Sequence, residues 1–150
     1  WSVVLASWLG GLIVALINIA FDLAAYYAHW WHYSLDGLIL HLPLPFYITS
    51  FLVFGSLVFL LIWRFWRARR WLALLLLIGV PLFGIARDSY GGLSQRAYTQ
   101  WENIPLALLM TIIMWLVMFY AGFLVFKRLA PERPAEEAGS RTPDRQNAST

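Results

Sequence analysis

Residues 1–28 read WSVVLASWLGGLIVALINIAFDLAAYYA, an apolar run whose only strongly polar members are Asn18 and Asp22. As one helix it would be roughly 40 Å long, more than the roughly 30 Å hydrocarbon core of a bilayer. A stretch of this kind sets the class as an all-α membrane protein, because only a helix satisfies its own backbone in lipid. Two readings of its end follow. Either the helix tilts or projects and holds Asp22 inside the membrane, or the span stops near Asp22 and residues 23–42 lie along the interface. The run is too long for the apolar part of a signal peptide, and no small-residue cleavage motif closes it.

Working outward, three more apolar runs give expected spans of about 1–28, 45–66, 71–90 and 104–126, a small bundle within residues 1–129. Pro43 and Pro45 suit the entrance of the second span, and Asn103 with Pro105 that of the fourth. Gly79 and Pro81 predict a kink in the third, and residues 89–100 read as a polar loop. From Ala130 to Thr150 the chain is polar and aperiodic, which predicts a disordered tail. The chain opens at Trp1 rather than Met, so the span count is a minimum.

Composition agrees: 61% of residues are hydrophobic, 13% are charged and the mean hydropathy is +0.65. Nine Trp, seven Tyr and ten Phe exceed what a core of this size needs and suit rings at two membrane surfaces, an aromatic belt. The absence of Cys excludes disulfides, thiolate metal sites and cysteine nucleophiles. The net charge of +3 sits at span ends rather than in a nucleic-acid-binding stripe. Arg64, Arg67, Arg69 and Arg70 follow the second span, and Lys127 and Arg128 follow the fourth. The positive-inside rule therefore places these ends and the tail in the cytoplasm, in a plasma- or inner-type membrane. The Arg cluster, interleaved with Trp, also suits anionic lipid headgroups.

The polar residues suggest three sites. Asn18, Asp22 and Tyr26 stack on one helical face, which small residues Ser7, Gly11 and Ala15 extend. An ionisable residue inside a span marks a proton relay, a cation site or an acid facing a substrate, whereas the structural reading is a helix-packing seam. His29, His32 or Tyr33, and Asp36 share a face if the segment is helical, a weak zinc or iron arrangement that matches no metal motif. The same stretch, with His41, reads as aromatic anchoring at the interface. Arg87 and Asp88, with Arg96 and Glu102, form a third group, either an anion-binding site or neutralising ion pairs.

The order of Asp22, Trp30 and Trp31, Tyr33 and the Pro43 and Pro45 entry resembles that of polytopic carotenoid-pathway membrane enzymes, which implies an isoprenoid-like substrate. The resemblance is confined to that segment. It departs from the cyclases in having no acidic pair after the proline, and from the hydratases in lacking the following Asn, so it does not assign the chain to that group. No P-loop, nucleophile elbow or zinc-protease helix is present.

These residues support a binding or assembly role towards lipid, pigment or partner subunits, in a homo-oligomer or with other membrane chains. The alternative is a membrane enzyme on a lipid or isoprenoid-like substrate, with Asp22 as acid or base, His29 or His32 as proton shuttle and Arg87 holding an anionic head; Asp88 is a further catalytic candidate. A further alternative is a proton- or cation-coupled transporter subunit with Asp22 as coupling residue. The sequence leaves the cofactor, if any, unknown.

Overall fold

The computed structural model describes residues 2–35, 38–94 and 99–131. Four helices are long and apolar enough to cross a membrane: α1 (Val3–Tyr27), α2 (Leu44–Ala68), α3 (Arg70–Ser94) and α4 (Ile104–Leu129). The chain is an integral membrane protein. Two short strands, β1 (Trp31–Tyr33) and β2 (Thr99–Trp101), pair antiparallel at one end of the bundle. Of the expected tail, all but Ala130 and Pro131 lies outside the described residues.

Each helix begins where its sequence provides a start. Ser2 accepts from the Leu5 N–H at 3.1 Å and Asn103 from the Leu106 N–H at 3.2 Å, so both side chains satisfy N–H groups the first turn leaves open. Pro43 and Pro45 open α2, where a missing N–H costs nothing. At the other end of α1, the Trp30 N–H reaches the Ala25 carbonyl at 2.9 Å and the His29 N–H reaches that of Tyr26 at 3.5 Å. This is a Schellman termination, and it puts His29 at φ 56, a position that usually takes Gly. The helix therefore ends in a turn and a strand, and residues 23–42 do not form an interfacial helix: Asp22 lies inside α1.

Two pairs of glycines set how closely the helices pack. A Cβ on Gly10 would lie 2.8 Å from the Gly122 carbonyl, and one on Gly122 would lie 2.6 Å from that of Gly10, so α1 and α4 touch through backbone. One turn-face away, a Cβ on Gly11 would meet the Phe51 carbonyl at 2.5 Å, and one on Gly55 would meet the Gly11 Cα at 2.4 Å. Ser7, Gly11 and Ala15 are all buried along this side of α1. Close backbone approach through small residues is how helices gain packing energy where lipid removes the hydrophobic drive between them. The middle of α2, Ser50–Leu57, is wound as a π-helix, a rare form that frequently marks functional sites.

Below these contacts, towards Arg64 and Lys127, the core is aromatic. Phe59 is fully buried and stacks on Phe126 at 5.6 Å, with Phe119 at 5.5 Å. Outward-facing residues such as Trp8, Leu16, Leu75, Ile78, Phe83, Leu109 and Leu124 are exposed large apolar side chains, as a lipid-facing surface requires.

The third helix runs further than expected. It continues to Ser94, so residues 89–94 are helical and Arg87 and Asp88 lie within it rather than at its end. It also stays continuous through Pro81. Proline at that position removes the N–H that would bond the carbonyl four residues earlier, at Leu77; the Tyr120 hydroxyl donates to that carbonyl at 3.2 Å instead. α3 packs on α2 and α4, but among the described residues it has no substantial contact with α1.

Candidate functional site

Between α1, α2, α3 and the strand pair lies a cavity of about 590 Å³. Its wall includes Asn18 and Asp22 from α1, Tyr47, Ser50 and Phe54 from α2, Arg87, Asp88 and Tyr90 from α3, and Thr111 from α4. Strand alternation supplies the remaining side. Trp31 pairs with Trp101 and Tyr33 with Thr99, and all four line the cavity, whereas the His32–Gln100 pair between them does not.

Asp22 is 3% exposed and heavily bonded. Its Oδ1 accepts from the Trp31 indole N–H at 3.0 Å, and its Oδ2 accepts from the Tyr47 hydroxyl at 2.8 Å and from the Asn18 amide at 3.5 Å. The Tyr33 hydroxyl also interacts with this carboxyl. Burial foremost, then the Asp22 charge, pushes the Tyr33 hydroxyl well above the usual tyrosine range, so it remains protonated. Every neighbour donates, the arrangement an ionised carboxylate calls for.

Asp88 is held differently. Its Oδ2 accepts from the Trp115 indole N–H at 2.7 Å, while its Oδ1 takes the Arg87 Nε–H at 2.8 Å and an Arg87 terminal N–H at 2.7 Å. The Arg87 guanidinium sits 5.2 Å from the Phe54 ring centre and 5.7 Å from that of Trp115. Two glycines of α3 seat the rings involved: a Cβ on Gly84 would fall 2.3 Å from Trp115, and one on Gly92 would fall 2.0 Å from Trp101. With Asp88 between them at spacings of four, Gly84 and Gly92 give one face of α3 the room to hold both tryptophans.

The structure thus brings Asn18, Asp22, Arg87 and Asp88 together and leaves other candidates elsewhere. Tyr26 is absent from the wall and stacks on His41 at 3.9 Å. His29 and His32 do not share a helical face, since His32 is on a strand and His29 in the turn before it. Both meet Glu102: His29 Nδ1 is 3.1 Å from Oε2 and His32 Nδ1 is 2.8 Å from Oε1, so each imidazole donates to one carboxylate oxygen. Neither lines the cavity, so the proton-shuttle placement does not hold for them. The bond from His32 foremost, with that from His29, holds the Glu102 carboxyl below the usual carboxylate range, against slight desolvation. Asp36 and Arg96 lie outside the described residues, and among those described no group of three His, Cys, Asp or Glu is placed to hold a metal. Arg64, Arg67, Arg69 and Arg70 lie on exposed surface at the opposite end of α2 and the start of α3.

Sequence reasoning missed Tyr47, Trp101 and Trp115, and assigned Trp31, which is 3% exposed, to a membrane-surface role. One signal was available. A buried indole N–H needs an acceptor, and the only carboxylates within the spans are Asp22 and Asp88. Comparison with protein-family models, curated proteins and solved structures finds no match to this chain.

Proposed function

We propose that this chain is a membrane-embedded binding protein that holds the polar head of a small amphipathic molecule, of the lipid, isoprenoid or pigment class, in the cavity beside Asp22. The observation that carries this reading is the cavity itself, about 590 Å³ walled by both aromatic and polar side chains. That size falls within the roughly 300–1,000 Å³ typical of small-molecule sites. The Arg64 to Arg70 cluster and Lys127 and Arg128 lie at the other end of the bundle, so on the positive-inside rule the cavity serves the non-cytoplasmic side and the tail is cytoplasmic.

Binding is favoured over catalysis because the Asp22 carboxylate is already occupied. Its two oxygens already accept from Trp31 at 3.0 Å and Tyr47 at 2.8 Å, with the Asn18 amide at 3.5 Å, so each is engaged by a protein donor rather than poised towards a substrate proton. A membrane enzyme is the second reading, favoured by the sharing of one cavity by Asp22, Asp88 and Arg87.

Mass spectrometry with a visible absorption spectrum, on protein purified in mild detergent, tests both. Recovery of one stoichiometric amphiphile, unchanged on incubation, is the expected result. Conversion of that molecule during incubation would favour the enzyme, and finding bulk phospholipid alone would count against a ligand cavity.

A further inference from the structure

We infer that the cavity selects a cationic head, a fully alkylated ammonium carried by an amphipathic molecule; this rests on the binding reading above. Three charged residues line the wall: Asp22, Asp88 and Arg87. Arg87 and Asp88 neutralise each other through two contacts of 2.8 Å and 2.7 Å. Among the described residues Asp22 has no charged partner. The groups bonded to it, from Trp31, Tyr47 and Asn18, are all neutral donors. Among the described residues the wall therefore carries one formal negative charge in excess, on a carboxylate that is 3% exposed, where the surrounding dielectric weakens the field far less than water does.

The kind of cation follows from the same bonds. A small metal ion or a primary amine needs several acceptors to replace its water; both Asp22 oxygens already accept from the protein, and among the described residues no group of three His, Cys, Asp or Glu is placed to hold a metal. An alkylated ammonium has no N–H to satisfy. It is held by the electrostatic field and by contact with aromatic rings, and Trp31, Tyr33, Phe46, Tyr47, Phe54 and Trp101 all line the space. An anionic head would meet the Asp22 charge, and the one cation among the described lining residues, Arg87, is already paired.

The test compares three amphiphiles with the same tail on the full chain in glyco-diosgenin micelles: decyltrimethylammonium, decyl phosphate and decyl maltoside. Saturable binding is followed by intrinsic tryptophan fluorescence. The ammonium is expected to bind at least about tenfold more tightly than the phosphate. Asp22→Asn should lose about tenfold in ammonium affinity. Because that substitution also weakens a buried hydrogen-bond cluster, Asp88→Asn provides a second reading. It keeps an acceptor for Trp115 and releases Arg87, so ammonium binding should weaken and phosphate binding strengthen. Equal or tighter binding of the phosphate or the maltoside, or ammonium affinity unmoved in both variants, overturns the charge assignment and leaves the binding reading standing. Saturable binding of none of the three brings down both.

Discussion

The two halves of this bundle are built from the same four helices and packed in opposite ways. Towards the Arg-rich end, glycines let α1 touch α2 and α4 through backbone, and a Phe59, Phe119 and Phe126 cluster fills what remains. Towards the strand pair, Asn18, Asp22, Arg87 and Asp88 face inward, and the helices enclose a cavity. Apolar side chains and glycine can close an interface completely. Buried polar groups require partners at hydrogen-bond distance, and tryptophan and tyrosine reach across the space to supply them. The difference separates a half that holds the fold together from a half that presents chemistry.

The sharpest way to break that division is to put a side chain into the closed half. Gly11→Leu would drive into the Phe51 carbonyl and Ser56, neither of which can move without unwinding α2. We expect a loss of about 3 kcal/mol or more, or no folded protein at all, read by reversible unfolding in mixed SDS and maltoside micelles. In the open half, Asp22→Leu should cost roughly 1–3 kcal/mol by stranding buried donors from Trp31 and Tyr47, and Asp22→Asn, which keeps one acceptor, should cost less. If Asp22→Leu proves as stable as the parent, the bonding at this site is incidental. Trp31→Phe removes a single donor and retains most of the ring, for a loss of about 1 kcal/mol in the same assay.

Gly79 sharpens the comparison from the other side. It belongs to the helix that carries Gly84 and Gly92, yet a Cβ there would meet nothing within 4 Å. Gly79→Ala should therefore stabilise by about 0.5–1 kcal/mol, through helix propensity alone.

The smallest effect lies outside the cavity. The folded chain holds the Glu102 carboxyl below its ordinary 4.5, chiefly through His32, so its contribution to stability is present above that value and is lost as pH falls through the lower folded value. Glu102→Gln should lack this acid-dependent component of the thermal melt and otherwise melt like the parent.

The spans were legible because a water-soluble fold rarely uses apolar runs as long as a bilayer is thick, and the glycine seam was visible as a helical spacing of Ser7, Gly11 and Ala15. The site was half legible. Asp22, Asn18, Arg87 and Asp88 stand out as polar residues in apolar surroundings, but nothing in their spacing says that they meet. That depends on α3 extending to Ser94 and on a strand register that links residues 31–33 to 99–101, both set by tertiary contacts. The histidines were misplaced for a related reason. A helical period does not apply to a segment that His29, in its left-handed turn, converts to a strand with a period of two, and this sends His32 to the outer side.

The strand pair also acts as a tie rod. Among the described residues α1 and α3 have little direct contact along the bundle, each packing on α2 and α4, and the short ladder of Trp31–Trp101, His32–Gln100 and Tyr33–Thr99 links the segments that follow them. The spacing of the two helices that carry Asp22 and Asp88, set along the bundle by α2 and α4, is thereby tied a second time beyond the ends of both, by a link three rungs long.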